Sequence, residues 1–397
     1  MRSRISYVFA WFCLTFFVVL PLLCHRLKYS AYYGLVWRRN KTKENIDMMK
    51  DNYRRLILAN EEISGKRDFT SKFKSFLRPN NLTDIAITLI TVSRGSREYS
   101  PHYLSQTVGK LLHLLKKNSA NMDFTYSLMV CNVDPFPQMF AEAVELSSHI
   151  HTVSEYKENT QLYNLNSQNR FEKEKHDYLY CLKESLLYQP KYVLLMEDDA
   201  YPNDEMFPVL EYSIHNIFEE KFSESDMHQR RNIAYLKLYH PPRLLGFIDT
   251  EVSRLFELAA AVTFIMAMIG IYKEVFSLRT IGKFQIMSFS LYITLLALAL
   301  GRPNLLFIRT LLPCFHSFVT APSCCTPANL YSYDGALAVI NSLEHKVSHS
   351  GYAKDTLLDE FLKESRYSAV YVEPNIFTHI GQYSSLRNGL VLDPYVV

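Results

Sequence analysis

Two long apolar stretches late in the chain constrain its fold more than anything else in it. "LFELAAAVTFIMAMIGIY" runs from Leu255 to Tyr272, and "FQIMSFSLYITLLALAL" from Phe284 to Leu300. Neither shows the polar and apolar faces of an amphipathic core helix. Each approaches the ~20 residues a helix needs to cross a bilayer. They read as a membrane hairpin; the other reading is a buried helical hairpin in a soluble core. Glu257, near the first boundary, is expected at the interface or facing protein rather than lipid. A hairpin returns the chain to the face it left. The segments before Leu255 and after Leu300 can therefore build one soluble domain, with the hairpin as an insertion.

A third uncharged run, Ile5 to Cys24, opens the chain. A cleaved signal peptide is one reading. The run is long for that, and no clear small-x-small cleavage site follows it, which favours an uncleaved signal anchor. The charges flanking this run do not decide its orientation: Arg2 and Arg4 precede it, and His25, Arg26 and Lys28 follow it. The basic loop between the two later runs, "KEVFSLRTIGK", favours the cytosol, which places the soluble parts in a lumen. Glycosylation sequons at Asn40 and Asn81 fit that side. The expected organisation is a cytosolic tail (1–4), an anchor (5–24), a lumenal stem (25–83), a first domain segment (84–254), a span (255–272), a cytosolic loop (273–283), a span (284–300) and a second domain segment (301–397).

Cys13 and Cys24 belong to the first run, leaving Cys131, Cys181, Cys314, Cys324 and Cys325. An oxidising lumen permits pairing. An odd count leaves one thiol over, expected to be Cys314. The adjacent Cys324 and Cys325 lack the second CxxC-type pair of a structural zinc site. A formal net charge of +3 supplies no bulk attraction to nucleic acid, and none is expected as a partner.

From Asp84 the pattern changes to strand, helix, strand, helix, strand: "DIAITLITVSR", "HYLSQTVGKLLHLLKK", "FTYSLMVCNVD", "FEKEKHDYLYCLKESLLY" and "KYVLLMEDDA". Such alternation predicts an α/β domain with a largely parallel sheet. Ligands in such sheets bind at the carboxyl ends of the strands. The ends here carry Ser93-Arg94, Asn132-x-Asp134 and Glu197-Asp198-Asp199. Residues i and i+2 of an extended strand share a face, so Glu197 and Asp199 are expected to converge and Asp198 to point away. Paired hard carboxylates suit a divalent ion that leaves positions for phosphate oxygens. The plainer reading is a solvated acidic turn.

A carboxylate motif after an apolar strand, in a lumenal α/β domain behind a signal anchor, resembles nucleotide-sugar glycosyltransferases of the GT-A type. The likeness extends through "YLKLYHP", "CCTPA", "GYAKD" and "EPNIFTHIGQYSSL", with the hairpin between the first and second of these. In that order the motifs resemble the post-GPI-attachment N-acetylgalactosaminyltransferase family over nearly the whole chain. A more distant likeness to N-acetylglucosaminyltransferase IV rests on Lys175 to Tyr178 with Tyr192 to Asp199, and on Pro374 to Leu386. The resemblance implies a GT-A fold split by a tandem transmembrane insertion, in the Golgi membrane. It implies UDP-GalNAc as donor, Mn²⁺ as cofactor, and β transfer of GalNAc to the first mannose of the glycan on GPI-anchored proteins. It implies Glu197, Asp198 and Asp199 as the donor and metal motif, a Cys131–Cys181 disulfide and a vicinal Cys324–Cys325 pair. A second short-range disulfide of the mammalian member has no counterpart here. The alternatives are a UDP-GlcNAc transferase acting on N-glycans and a catalytically dead membrane scaffold.

An α-linked donor giving a β product requires inversion, hence a base for the acceptor hydroxyl and stabilisation of the departing diphosphate. Asp355 is the candidate base, with helix N-cap as its structural alternative; Glu373 and Glu360 are reserves. His379 is a candidate for metal or diphosphate, or a core histidine bonded to backbone. Arg94 and Lys175 are candidates for phosphate, and Lys175 equally for a solvated helix face. Asp177 joins the donor-binding set. Val92 is placed beside the uracil, and Thr326 beside the donor sugar.

Overall fold

The computed structural model describes residues 9–33, 41–64, 83–94, 100–156, 169–219, 232–245, 252–275 and 282–383. The tail 1–4 and the sequon residues Asn40 and Asn81 lie outside them. In chain order the helices are α1 (Phe9–Cys24), α2 (Lys41–Ser64), α3 (Tyr103–Asn118), α4 (Ala141–Ser147), α5 (Arg170–Leu186), α6 (Met206–Ile214), α7 (Val252–Val275), α8 (Lys283–Leu300), α9 (Arg302–Leu306), α10 (Tyr333–Leu343) and α11 (Lys354–Glu364). The strands are β1 (Ile85–Thr91), β2 (Tyr126–Asn132), β3 (His151–Ser154), β4 (Tyr192–Glu197), β5 (Ala200–Pro202), β6 (Asn232–Lys237), β7 (Ser317–Thr320), β8 (Ala328–Ser332), β9 (Tyr367–Glu373) and β10 (Phe377–His379). Two compact units result, Met1–Ile46 with Pro241–Leu311, and Asp47–His240 with Leu312–Val397.

The first unit holds the apolar helices. α7 and α8 are long and apolar enough to cross a membrane. Glu257 is paired with Arg254 at 3.0 Å, which compensates its charge near the helix start. α1 packs on α8 through Phe16, Leu20, Cys24 and Ala299, with Thr15 Oγ1 3.0 Å from the Tyr292 hydroxyl. Past α8 the chain turns at Gly301, whose φ of 82° lies in the left-handed region. A Cβ there would collide with the Tyr29 carbonyl, so glycine is required twice over. Cys13 and Cys24 carry free thiols, as does the exposed Cys314 of the second unit.

The second unit is an α/β domain formed from both sides of the α7–α8 insertion. Its main sheet runs β3-β2-β1-β4-β8-β6-β9-β7. β1 is parallel to β2 and β4, β2 to β3, and β6 to β9, while β8 runs antiparallel between β4 and β6, and β7 against β9. The sheet is thus largely parallel, as the alternating pattern predicts, with β8 and β7 running against the other strands. β8 starts from the edge where β4 ends, so it must run back against β4. Because β8 opposes both neighbours, β4 and β6 point the same way, and the carboxyl ends of β1, β2, β4, β6 and β9 share one edge.

Burial on both faces explains the near-continuous apolar strands. Leu194 and Met196 of β4 join Leu104, Leu111 and Phe207 on one face. Val193 and Leu195 join Tyr178, Leu182 and Val339 on the other. The Cys131–Cys181 disulfide ties β2 to α5, with a Cα separation of 5.8 Å. The segment expected to be a stem contributes a docked helix: Ala59 of α2 abuts Gly109 of α3, and Arg55 Nε donates to Gln106 Oε1 at 2.8 Å.

Gly335 lets the start of α10 lie against the Ala234 backbone, where a Cβ would overlap main-chain atoms. Gly335→Ala is expected to cost about 1–3 kcal/mol, as overpacking does, seen as a lower unfolding midpoint of the detergent-solubilised chain.

Candidate active site

β4 ends at Glu197, and Asp198 and Asp199 form the turn that follows. The extended strand stops there. Asp198 and Asp199 converge on one guanidinium, and the charge of Glu197 also acts on Arg94 and on His379. Arg94, just beyond β1, lies 2.8 Å from Asp198 Oδ1 and is also paired with Asp199. Both carboxylates are buried. The turn is held by Thr91 Oγ1 donating to Asp198 Oδ2 at 2.6 Å, by the Asp198 N–H donating to the Ile90 carbonyl at 3.0 Å, and by Thr107 Oγ1 donating to the Asp198 carbonyl at 2.6 Å. These bonds rule out the solvated acidic turn and give Asp198, the residue expected to point away, a central place.

His379 completes this group. β10 pairs antiparallel with β5, placing His379 opposite Ala200. Its Nε2 is 3.4 Å from Asp199 Oδ2, and the Ile380 N–H donates to the Asp199 carbonyl at 2.9 Å. A Cβ on Gly381 would collide with the Asp199 carboxylate and crowd His379. Burial and the charge of Asp199 push Asp198 upward, against the pull of Arg94. Burial would raise Asp199 too, but Arg94 and His379 outweigh it and hold that carboxylate below the usual range. Burial lowers His379, and Asp199 more than reverses this, so the imidazole is pushed upward.

Glu197 belongs to a second group. Lys354, the first residue of α11, reaches Glu197 Oε1 at 2.9 Å and Glu174 Oε1 at 2.8 Å, with its ammonium 5.1 Å from the Tyr178 ring centroid. Burial opposes the charge on Lys354, but Glu174 and Glu197 raise its pKa. Burial also raises Glu174, with Lys354 pulling the other way. Neither Lys354 nor Glu174 was singled out from sequence. The available signals were the place of Lys354 beside Asp355 in "GYAKD" and the i, i+4 spacing of Glu174 and Tyr178 on α5.

Asp355 sits in the first turn of α11 but does not cap it; Ala353 holds the N-cap position. Its carboxylate accepts the Cys325 N–H at 2.7 Å and the Thr326 hydroxyl at 3.1 Å. The vicinal Cys324–Cys325 disulfide is present, and both residues have positive φ, 84° and 68°. Lys237, at the end of β6, donates to the Pro322 carbonyl at 2.8 Å and to the Cys324 carbonyl. Burial lowers Lys237 to about 8, against the charges of Asp355 and Asp359. The Glu197 N–H donates to the Pro327 carbonyl at 2.7 Å, joining this loop to β4.

Other expected residues stand elsewhere. Lys175 is buried, paired with Glu172 at 2.7 Å and donating to the Lys346 carbonyl, so it does not lie on a solvated helix face. Asp177 accepts from Lys173 at 2.6 Å and from the Tyr156 hydroxyl at 2.9 Å. Burial raises Asp177 to about 7, with Lys173 opposing. Val92 is half-buried just past β1. Asp134, past β2, accepts the Ser93 N–H at 3.0 Å. Of the reserve bases, Glu373 is buried at the end of β9, and Glu360 pairs with Lys346 at 3.1 Å.

Asp199 Oδ1 is buried without a hydrogen-bond partner. With the His379 imidazole beside the other oxygen, an oxygen and a nitrogen donor lie together, a combination that fits a borderline divalent ion. Glu197, held by Lys354, lies near enough for its charge to help push His379 upward. Among the described residues, the tighter three-residue groupings are Glu155–His176–Asp177 and Cys324–Cys325–Asp355. Ion pairs and hydrogen bonds already engage both.

Removing Arg94 would strand two buried carboxylates. Arg94→Leu is expected to cost about 3–5 kcal/mol of stability, the usual penalty for breaking a buried pair from one side. Arg94→Lys should restore part of it, since an ammonium lacks the planar fork that spans two carboxylates. Denaturant unfolding of the purified chain measures both.

A family model described as GPI-N-acetylgalactosamine transferase PGAP4 matches residues 85–378. The matched stretch takes in β1 through β9 and the start of β10, with Arg94, Asp198, Asp199, Glu197 and Lys354 at the sheet edge and the apolar insertion, and stops one residue short of His379. It covers well over half of the sequence, and the chain belongs to the PGAP4 family of GPI-N-acetylgalactosamine transferases.

Proposed function

We propose that the chain is an inverting glycosyltransferase of the GT-A type that moves GalNAc from UDP-GalNAc onto the first mannose of the GPI glycan, in β linkage. The observation that carries this reading is the buried Asp198–Asp199 pair at the carboxyl edge of the sheet, the edge where α/β sheets bind nucleotides, in a member of this family. Asp199 and His379 would hold a divalent ion such as Mn²⁺. When bound, the ion supplies electrostatic stabilisation of the departing diphosphate. Arg94 adds fixed positive charge at the same place. The two bonds that Asp355 accepts orient it as the base for the acceptor hydroxyl, with the charges of Lys354 and Lys237 nearby. α1, α7 and α8 are read as membrane spans and the α/β unit as lumenal, in the Golgi. Anchoring of this kind raises the effective concentration of a lipid-linked acceptor.

The test is transfer from UDP-GalNAc and UDP-GlcNAc, side by side with Mn²⁺, onto a GPI-anchored reporter and an N-glycoprotein. GalNAc transfer to the GPI reporter is expected. Asp199→Ala should lower it by about 10²-fold or more, and Asp355→Asn by about 10²–10⁴-fold. GlcNAc transfer to the N-glycan, or turnover of neither donor, would overturn the reading.

A further inference from the structure

Beyond α8 the chain does not dive into the α/β fold at once. It forms α9 and then a tight helical turn over Phe307–Leu311, both inside the first unit. This turn presents large apolar side chains outward: Phe307 is 72% exposed, Ile308 63% and Leu311 70%. Such exposure in one five-residue stretch is costly in water.

The place of the turn says what covers it. Asn304 of α9 donates through Nδ2 to the Lys28 carbonyl and, at 2.8 Å, to the Leu300 carbonyl. The Ala31 N–H donates to the Ala299 carbonyl at 2.9 Å. α9 is therefore pinned where α1 and α8 both end. Phe307 follows seven residues after Leu300, the last residue of an apolar helix of membrane-spanning length. With α7 and α8 read as spans, apolar groups held beside the last residues of α1 and α8 would sit at the depth of lipid headgroups.

We propose that Phe307, Ile308 and Leu311 form an interfacial wedge that inserts into the leaflet where α1 and α8 emerge, with a lipid surface as its partner. The wedge rests on the reading of α7 and α8 as spans and adds a second, in-plane contact to it. A short apolar turn cannot cross a bilayer; it buries its face shallowly, at the acyl boundary.

The test uses the full chain in nanodiscs made with lipids brominated at shallow or deep positions. The native Trp11 and Trp37 are changed to Phe, and one tryptophan is placed in turn at Ile308, at Ile265 within α7, or at Met139, which is 81% exposed in the α/β unit. Ile308→Trp is expected to be quenched at least threefold more by shallow than by deep bromines, Ile265→Trp more by deep ones, and Met139→Trp by neither. Quenching at 265 with none at 308 would overturn the wedge and leave the spans standing. No quenching at 265 would overturn both. Protection of position 308 from aqueous quencher without quenching by brominated lipid would mean that protein, including a second copy, covers this face, and would also overturn the proposal.

Discussion

Arg94 lets two adjacent carboxylates stay buried at the end of a central strand, and the site is organised around that compensation. A lone carboxylate moved out of water either finds a cation or takes up a proton. Here the guanidinium meets both Asp198 and Asp199. That contact joins the segment after β1 to the turn after β4. The turn then presents Asp199 to the β10 segment, where His379 adds a partner and Gly381 leaves the space that the carboxylate needs.

Lys354 makes a second junction of the same kind. It draws Glu197 from β4 and Glu174 from α5 onto the start of α11. Its neighbour Asp355 holds the vicinal disulfide loop through Cys325 and Thr326. These partners lie on opposite sides of the apolar insertion in sequence. The insertion therefore interrupts the chain without interrupting the site, which is assembled from residues before α7 and after α9.

Much of the architecture was legible because periodicity reports burial. β1, β2 and β4 read as unbroken apolar runs since helices cover both faces of the sheet, and α5 shows its buried side as Tyr178, Leu182 and Leu186. The two disulfides and the free Cys314 agree with what the family likeness and the cysteine count led one to expect. The largely parallel sheet was legible, but the reversed direction of β8 was not. β8 has the same composition whether it runs with β4 or against it, and only the point at which the chain re-enters decides.

The sequence by itself determined which polar residues lie at the strand ends, because each apolar run stops where its polar residues begin. It also determined the apolar insertion, because length and hydropathy need no partner. Tertiary structure alone decided which charges meet. Asp198 joined Asp199 on Arg94 because the strand gives way to a turn at that point, and side-chain direction in a turn does not follow the two-residue period. Lys175 and Lys354 look alike as isolated cations, yet one is held by Glu172 and a backbone carbonyl and the other by Glu174 and Glu197. Coulomb energy depends on distance through space, and separation along the chain carries no information about it.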